Sequence, residues 1–317
     1  MRIRKIILLG ILALGGLRAA PARAGSAGAD PLNFLFLDAN ARAVAMGGAY
    51  TALAADANAL LYNPAGLGRI GRHEATFMHN EHFEGVSQEY MGVALRQGWG
   101  LNLNYVDSGK VPRTTISNKD GTGLGSTGLR DLAVGAGYGR AVREDLALGA
   151  GIKYVSEEIA GVKADGLALD FGALYSPPGL ERLTLGLAVQ NIGRKVKFQS
   201  EEENLPLNAR AGAAYAFTMG GQKSLVAVDV TKERSEDVLL SAGAETVVAG
   251  MMPVRLGYSA RNDAGPGLSI GLGWALKDLQ MDYAFVPFGD LGSAHRLSAT
   301  LRWGEGGEPA RGTGGSR

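Results

Sequence analysis

The stretch GLSIGLGWAL, residues 267–276, decides the fold: Leu268, Ile270, Leu272, Trp274 and Leu276 alternate with Gly267, Ser269, Gly271, Gly273 and Ala275. A repeat of two is the side-chain period of a β-strand, whose successive residues point to opposite faces. One face here is large and apolar. The other is nearly bare, and glycine weakens a strand unless another backbone must come close. The pattern recurs: Leu183, Leu185, Leu187 and Val189 oppose Thr184, Gly186, Ala188 and Gln190, and Leu279, Met281, Tyr283 and Phe285 oppose Gln280, Asp282, Ala284 and Val286.

The distribution of charge says which side is wet. Between Leu132 and Trp303 the apolar face carries no Lys, Arg, Asp or Glu in the middle of a run. The opposite face carries Asp131, Lys153, Asp170, Arg210, Asp229, Glu245, Arg255, Asp282, Arg296 and Arg302 among Gly, Ala and Ser. A charge facing lipid at mid-depth costs about 2–4 kcal/mol, so one charge-free face is what a bilayer selects. A soluble sandwich also has one apolar face, but its other face is normally rich in Lys, Glu and Thr. A crowded barrel interior accounts better for the glycine and alanine.

The expected fold is therefore all-β: a membrane-spanning antiparallel β-barrel of about fourteen strands, with strands near 74–82, 87–96, 99–108, 128–142, 145–157, 163–176, 181–192, 207–218, 222–232, 237–248, 252–260, 267–276, 279–288 and 294–303. Connections after even strands are short, such as Gln97-Gly98, Gly220-Gly221 and Lys277-Asp278, and the two longest, residues 106–127 and 192–206, follow odd ones. Outer-membrane barrels show this asymmetry because periplasmic turns are tight and outer loops are not, and an even count places both termini on the periplasmic side. Trp99, Tyr105, Tyr138, Tyr154, Tyr175, Tyr215, Phe217, Tyr258, Trp274, Tyr283 and Trp303 fall near the run ends, where aromatic girdles form.

The chain begins as a secretory signal peptide does: basic Arg2, Arg4 and Lys5, an apolar run from Ile6 to Leu17, and Ala22-Arg23-Ala24 as a small-residue cleavage site. The run is too short for a spanning helix, which needs roughly 20 apolar residues. Removing residues 1–24 leaves 27 basic against 31 acidic residues, a mature charge of about −4. That balance gives no electrostatic case for binding nucleic acid. Without cysteine, disulfides and thiolate metal sites are excluded. The Gly-rich segment 304–317 is expected to be a disordered tail.

Residues 25–73 do not alternate. Asp38 to Met46 reads as a short helix capped by Asp38 and stopped at Gly47-Gly48, followed by a turn at Tyr62-Asn63-Pro64-Ala65-Gly66-Leu67. The segment RAVAMGGAYTALAADANALLYNPAGL, residues 42–67, resembles the N-terminal hatch of the PorV/PorQ group of outer-membrane proteins, part of the wider superfamily of the long-chain fatty-acid transporter FadL. The resemblance implies a hatch, residues 25–73, inserted into the lumen of a barrel, residues 74–303. Its structural hatch residues here would be Gly47, Gly48, Tyr50, Asn58, Tyr62, Asn63, Pro64 and Gly66. The lumen-facing Asp170, Arg255, Asp282, Arg296 and Arg302 are expected to form one charge network that binds the hatch.

Two functions follow from the resemblance. FadL-like barrels admit hydrophobic small molecules, whereas PorV-like barrels serve type IX secretion, meeting exported cargo and secretion-machinery proteins. The long loops carry Asp107, Lys110, Arg113, Lys119 and Asp120, and Arg194, Lys195, Lys197 and Glu201-Glu202-Glu203. A capture groove for fatty acids should be apolar, so these loops favour the secretion-associated or structural role, with the hydrophobic-solute channel second. Outer-membrane lipid is the expected constant partner.

No enzyme chemistry is readable. Gly123-x-Gly125-x-x-Gly128 matches a dinucleotide fingerprint only as a string, because it lies in a polar loop before a strand. His79, Glu81, His82 and Glu84 look like metal ligands, but His79 and His82 point to opposite faces of a strand. Four histidines, three of them close together, leave little for a triad. No catalytic residue, metal or cofactor is expected.

Overall fold

The computed structural model describes residues 31–82, 85–199 and 201–306. The expected signal peptide, residues 25–30 and the tail beyond 306 lie outside the described residues.

Among the described residues sixteen strands follow the N-terminal segment: β1 (His73–Glu81), β2 (Ser87–Ala94), β3 (Trp99–Pro112), β4 (Ser126–Ala141), β5 (Leu146–Ile159), β6 (Val162–Tyr175), β7 (Leu183–Gly193), β8 (Val196–Phe198), β9 (Glu201–Glu203), β10 (Asn208–Met219), β11 (Gln222–Glu233), β12 (Val238–Val248), β13 (Met252–Ser259), β14 (Leu268–Ala275), β15 (Leu279–Pro287) and β16 (Ser293–Trp303). Fourteen form one closed barrel. β8 and β9 form a separate hairpin between β7 and β10. Neighbours in the barrel are antiparallel, and β1 closes it against β16 from His73↔Trp303 to Glu81↔His295. No sheet edge is left for lipid to meet, which is the condition for a sheet to cross a bilayer. No helix among the described residues is long and apolar enough to cross a membrane.

Side-chain parity follows the alternation. On β14, Leu268, Ile270, Leu272 and Trp274 point outward, while Ser269 and Gly271 are buried inside. Leu185, Leu187 and Val189 on β7 and Phe171, Leu169 and Leu167 on β6 extend the apolar exterior. Aromatic rings close it at the end where β1 begins and β16 ends. Trp99 and Tyr138 lie 4.8 Å apart there, and Tyr215 and Phe217 stack towards the same end of β10, five strands round from β3. Amphipathic rings prefer that headgroup depth. A closed barrel with a greasy outside and polar ends is an outer-membrane protein.

Two departures from the sequence reading lie in the outer connections. β3 and β4 continue to Pro112 and from Ser126, past a bulge between Asp107 and Lys110, so the expected loop 106–127 is largely a projecting hairpin. The loop 192–206 is not simply polar, since Val196, Phe198 and Leu205 turn inward.

Candidate functional site

Residues 31–72 pack inside the barrel. Helix α1 (Ala41–Ala45) is capped by Asn40, whose side chain accepts from the Arg42 and Ala43 N–H groups at 2.9 and 3.4 Å. The cap lies two residues beyond the Asp38 that the sequence suggests; Asp and Asn are both good caps, and here the Asn40 side chain reaches the first turn. The helix ends at Gly47 and Gly48, at φ +67° and +79°, a region that favours glycine. Its buried Ala41, Val44 and Ala45 meet Ala284 and Val286 of β15.

The inward glycines receive this segment. A methyl group on Gly243 would stand 2.5 Å from the Met46 carbonyl oxygen, and one on Gly186 would stand 2.5 Å from that of Thr51. Gly257 faces the Gly47 backbone, Gly271 faces Ala45, Gly149 faces Pro64 and Ala65, and Gly172 faces Asn63. The bare face of the strands is thus where one backbone lies against another.

Polar contacts fix the register of the segment. Asp229 of β11 accepts from the Tyr50 N–H (3.0 Å), the Thr51 N–H (2.9 Å) and the Thr51 hydroxyl (2.6 Å). Arg210 donates to the Gly48 carbonyl at 3.0 Å. Arg42 forks onto both oxygens of Glu245 at 2.9 Å, and Arg255 donates to Glu245 at 2.5 Å and to Asp282 at 2.7 Å. Tyr50 donates to Asp56, and its ring lies 5.0 Å from that of Tyr62.

The Asn63-Pro64 turn is held likewise. Asn63 donates to the carbonyls of Thr51 (3.0 Å) and Ala173 (3.1 Å) and accepts from the Ala65 N–H (3.1 Å), while Pro64 opens a 3-10 helix, Pro64–Arg69. A side chain on Gly66 would strike the Ala54 carbonyl. Asn58, buried before α2 (Ala59–Tyr62), bonds to Asp56 through its N–H at 2.9 Å and its amide at 3.2 Å.

The five charges expected to form one network do so only in part. Arg255 and Asp282 are joined, and Gln280 links them to Arg302, donating to Asp282 at 2.8 Å and accepting from Arg302 at 3.2 Å. Arg302 also pairs at 2.6 Å with Glu74, which accepts from the Ala57 N–H, whereas Asp170 pairs with Lys153 at 2.9 Å. Arg296 stands apart, with no hydrogen bond to its Nε. Asp229 and Glu245, the principal carboxylates on the segment, were visible in the sequence only as members of the inward face.

At the outer end, opposite His73 and Trp303, a 3-10 turn, Asn33–Phe36, closes the lumen. Leu32 and Phe34 pack with Val106, Val155, Val196 and Leu205, and Glu157 accepts from the Leu32 N–H. Beside this seal lies a cavity of about 110 Å³, lined by Phe36, Leu37, Val44, Val286 and Phe288 and edged by Asp38, His82, Arg261 and Arg296. Arg261 is engaged, paired with Glu233 and lying 5.2 Å over the Phe36 ring. Burial, helped by the nearby Arg296 charge, pushes the His82 imidazolium down to about 4, so this ring is neutral at neutral pH. Arg296 lies near the Asp38 carboxylate, which edges the same pocket, and its buried Nε–H makes no hydrogen bond.

An outer-membrane β-barrel with an internal N-terminal segment and an apolar outer pocket is the class these observations define. By sequence, the chain matches no family model and no curated protein. By structure it resembles the CymD monoaromatic hydrocarbon channel, with a TM-score of 0.57, 15% identity, and 87% of this chain and 100% of that one covered. It also resembles the Pseudomonas putida toluene transporter TodX, with a TM-score of 0.55, 14% identity, and 84% and 98% covered. The fold is thus one that these outer-membrane channels share.

Proposed function

We propose that the protein is an outer-membrane channel for small hydrophobic molecules, those bearing an acidic group included, which enter from outside through the pocket beside Phe36 and Phe288. The carrying observation is that pocket: apolar side chains over about 110 Å³, with the Arg296 guanidinium at its edge. Apolar cavities of about 150 Å³ bind benzene, so a single ring is the right scale of guest with slight adjustment of the lining. An anionic head would give the Arg296 Nε–H the charge-assisted hydrogen bond it lacks, in competition with the nearby Asp38 carboxylate. The similar structures, a monoaromatic hydrocarbon channel and a toluene transporter, support this reading.

Binding to the purified barrel in detergent tests it. Toluene and benzoate should both bind, and Val44→Trp, which fills the pocket, should abolish both. Arg296→Gln should weaken benzoate about tenfold or more, the loss of one charged hydrogen-bonding partner, and leave toluene within about twofold. Failure of both compounds to bind the native barrel would refute the proposal.

A second reading is a PorV-type role in handling exported cargo, favoured by the motif in residues 42–67 and the charged outer loops. Gene deletion separates the two. Loss of hydrophobic-solute uptake with intact secretion supports the channel, and exported proteins accumulating in the periplasm support the secretion role.

A further inference from the structure

We propose that the outward wall of β3, β4 and β5 carries a groove for the phosphate of an anionic outer-leaflet lipid, held by Lys110, Arg113 and Arg130. The outward residues of β3 run Trp99, Leu101, Leu103 and Tyr105 before reaching Asp107. On β4 the outward run Tyr138, Val134 and Leu132 ends at Arg130, and on β5 Leu148, Ile152 and Tyr154 lead towards Glu158. Trp99 to Asp107 is about 26 Å at ~3.3 Å per residue, the length a tilted strand needs to cross most of the apolar layer. Asp107, Arg130 and Glu158 stand side by side in the strand pairing. Their parity is outward, because Val106, Asp131 and Glu157 beside them are buried inside.

Immediately beyond this row the wall is hollow. The bulge at Asp107–Lys110, turning through Gly109 at φ +71°, opens a concavity of about 430 Å³ lined by Lys110, Arg113, Arg130, Asp107 and Glu158. Gly161 contributes no side chain to it. Arg130 is 3.6 Å from Asp107 and remains well exposed. Neither the Lys110 nor the Arg113 side chain has a hydrogen bond or ion pair among the described residues. Three cations therefore face two carboxylates. A lipid whose acyl chains lie along Leu101, Leu103 and Leu132 would bring its headgroup to this depth. Phosphate oxygens suit the fork of an arginine and the point charge of a lysine.

The test is native mass spectrometry of the full barrel extracted from outer membranes in mild detergent. Wild type should carry an anionic, phosphate-bearing lipid. The variant K110Q/R113Q/R130Q should lose roughly fivefold or more of it, since each basic residue near an anionic surface strengthens binding severalfold. Because those side chains are exposed, heat-modifiable migration should be unchanged. R194Q/K195Q/K197Q, altered in the other long loop, should retain the lipid. Millimolar inorganic phosphate should not displace it. Full lipid retention by the β3–β4 variant, equal loss in both variants, or displacement by phosphate alone would overturn the proposal.

Discussion

Replacing Gly149 with valine should open the barrel. A side chain there points inward from β5, and its first carbon would fall on the Pro64 carbonyl and the Ala65 nitrogen. Those are backbone atoms, so no rotamer relieves the clash. Gly257→Val has the same effect at the other side of the lumen, against the backbone of Met46 and Gly47. Neither residue requires a positive φ, so valine suits both strands once the internal segment moves away. The double variant should still fold as a barrel, because the strand pairing and apolar exterior are untouched. Its conductance in planar bilayers should rise about tenfold or more, as wide barrels without a filled lumen hold an aqueous channel. Ala150→Val, on the outward side of the same strand, should change nothing. Unaltered conductance of the double variant would mean that the segment does not block the lumen.

The second large effect concerns the exterior. Leu272 lies outward in the middle of β14, 58% exposed, between Val254 and Tyr283. Arginine at mid-depth on a lipid-facing surface costs about 2–4 kcal/mol, falling to about 0–1 kcal/mol near the interface. Leu272→Arg should therefore lower the stability of the barrel refolded into vesicles by that larger amount, measured by denaturant titration. Leu276→Arg, just past the end of the strand, should cost little. Equal effects at the two sites would place the membrane boundary elsewhere.

Most of the barrel was legible because lipid imposes a strict rule on one face. Each of the fourteen barrel strands lies within a few residues of its expected place, and Gly271, Gly257 and Gly243 mark the inner side wherever they alternate with large apolar residues. Local chemistry also marked the turns at Gly47-Gly48 and Asn63-Pro64. Contacts between distant strands were not legible. Asp170, Arg255, Asp282, Arg296 and Arg302 share a parity, but barrel register joins only Arg255, Asp282 and Arg302, the last through Gln280, and sends Asp170 to Lys153. Parity says which way a charge points and nothing about which strand it meets.

The pocket was missed for a related reason. Its apolar lining comes from Phe36 and Leu37 in the internal segment, Val286 on β15 and Phe288 on an outer turn, none of which lies in the two long loops. Judging the outer surface by the charges of residues 106–127 and 192–206 favoured a secretion role. Once folded, the second of these loops presents Val196 and Leu205 to the lumen, and its charged residues lie outside.

Because the native chain has no cysteine, an engineered pair reports position without ambiguity. Thr51 in the internal segment and Gly212 on β10 bring their β-carbon positions within 3.1 Å, near the spacing of about 3.8 Å that a disulfide needs, provided the flexible Asp229 carboxylate, which the added carbon would strike, turns aside. With Thr51→Cys and Gly212→Cys together, a disulfide should form in the outer membrane and change migration on non-reducing gels. Two free thiols in a folded barrel, both open to a maleimide, would show residues 31–72 lying outside the lumen and contradict this structure at its centre.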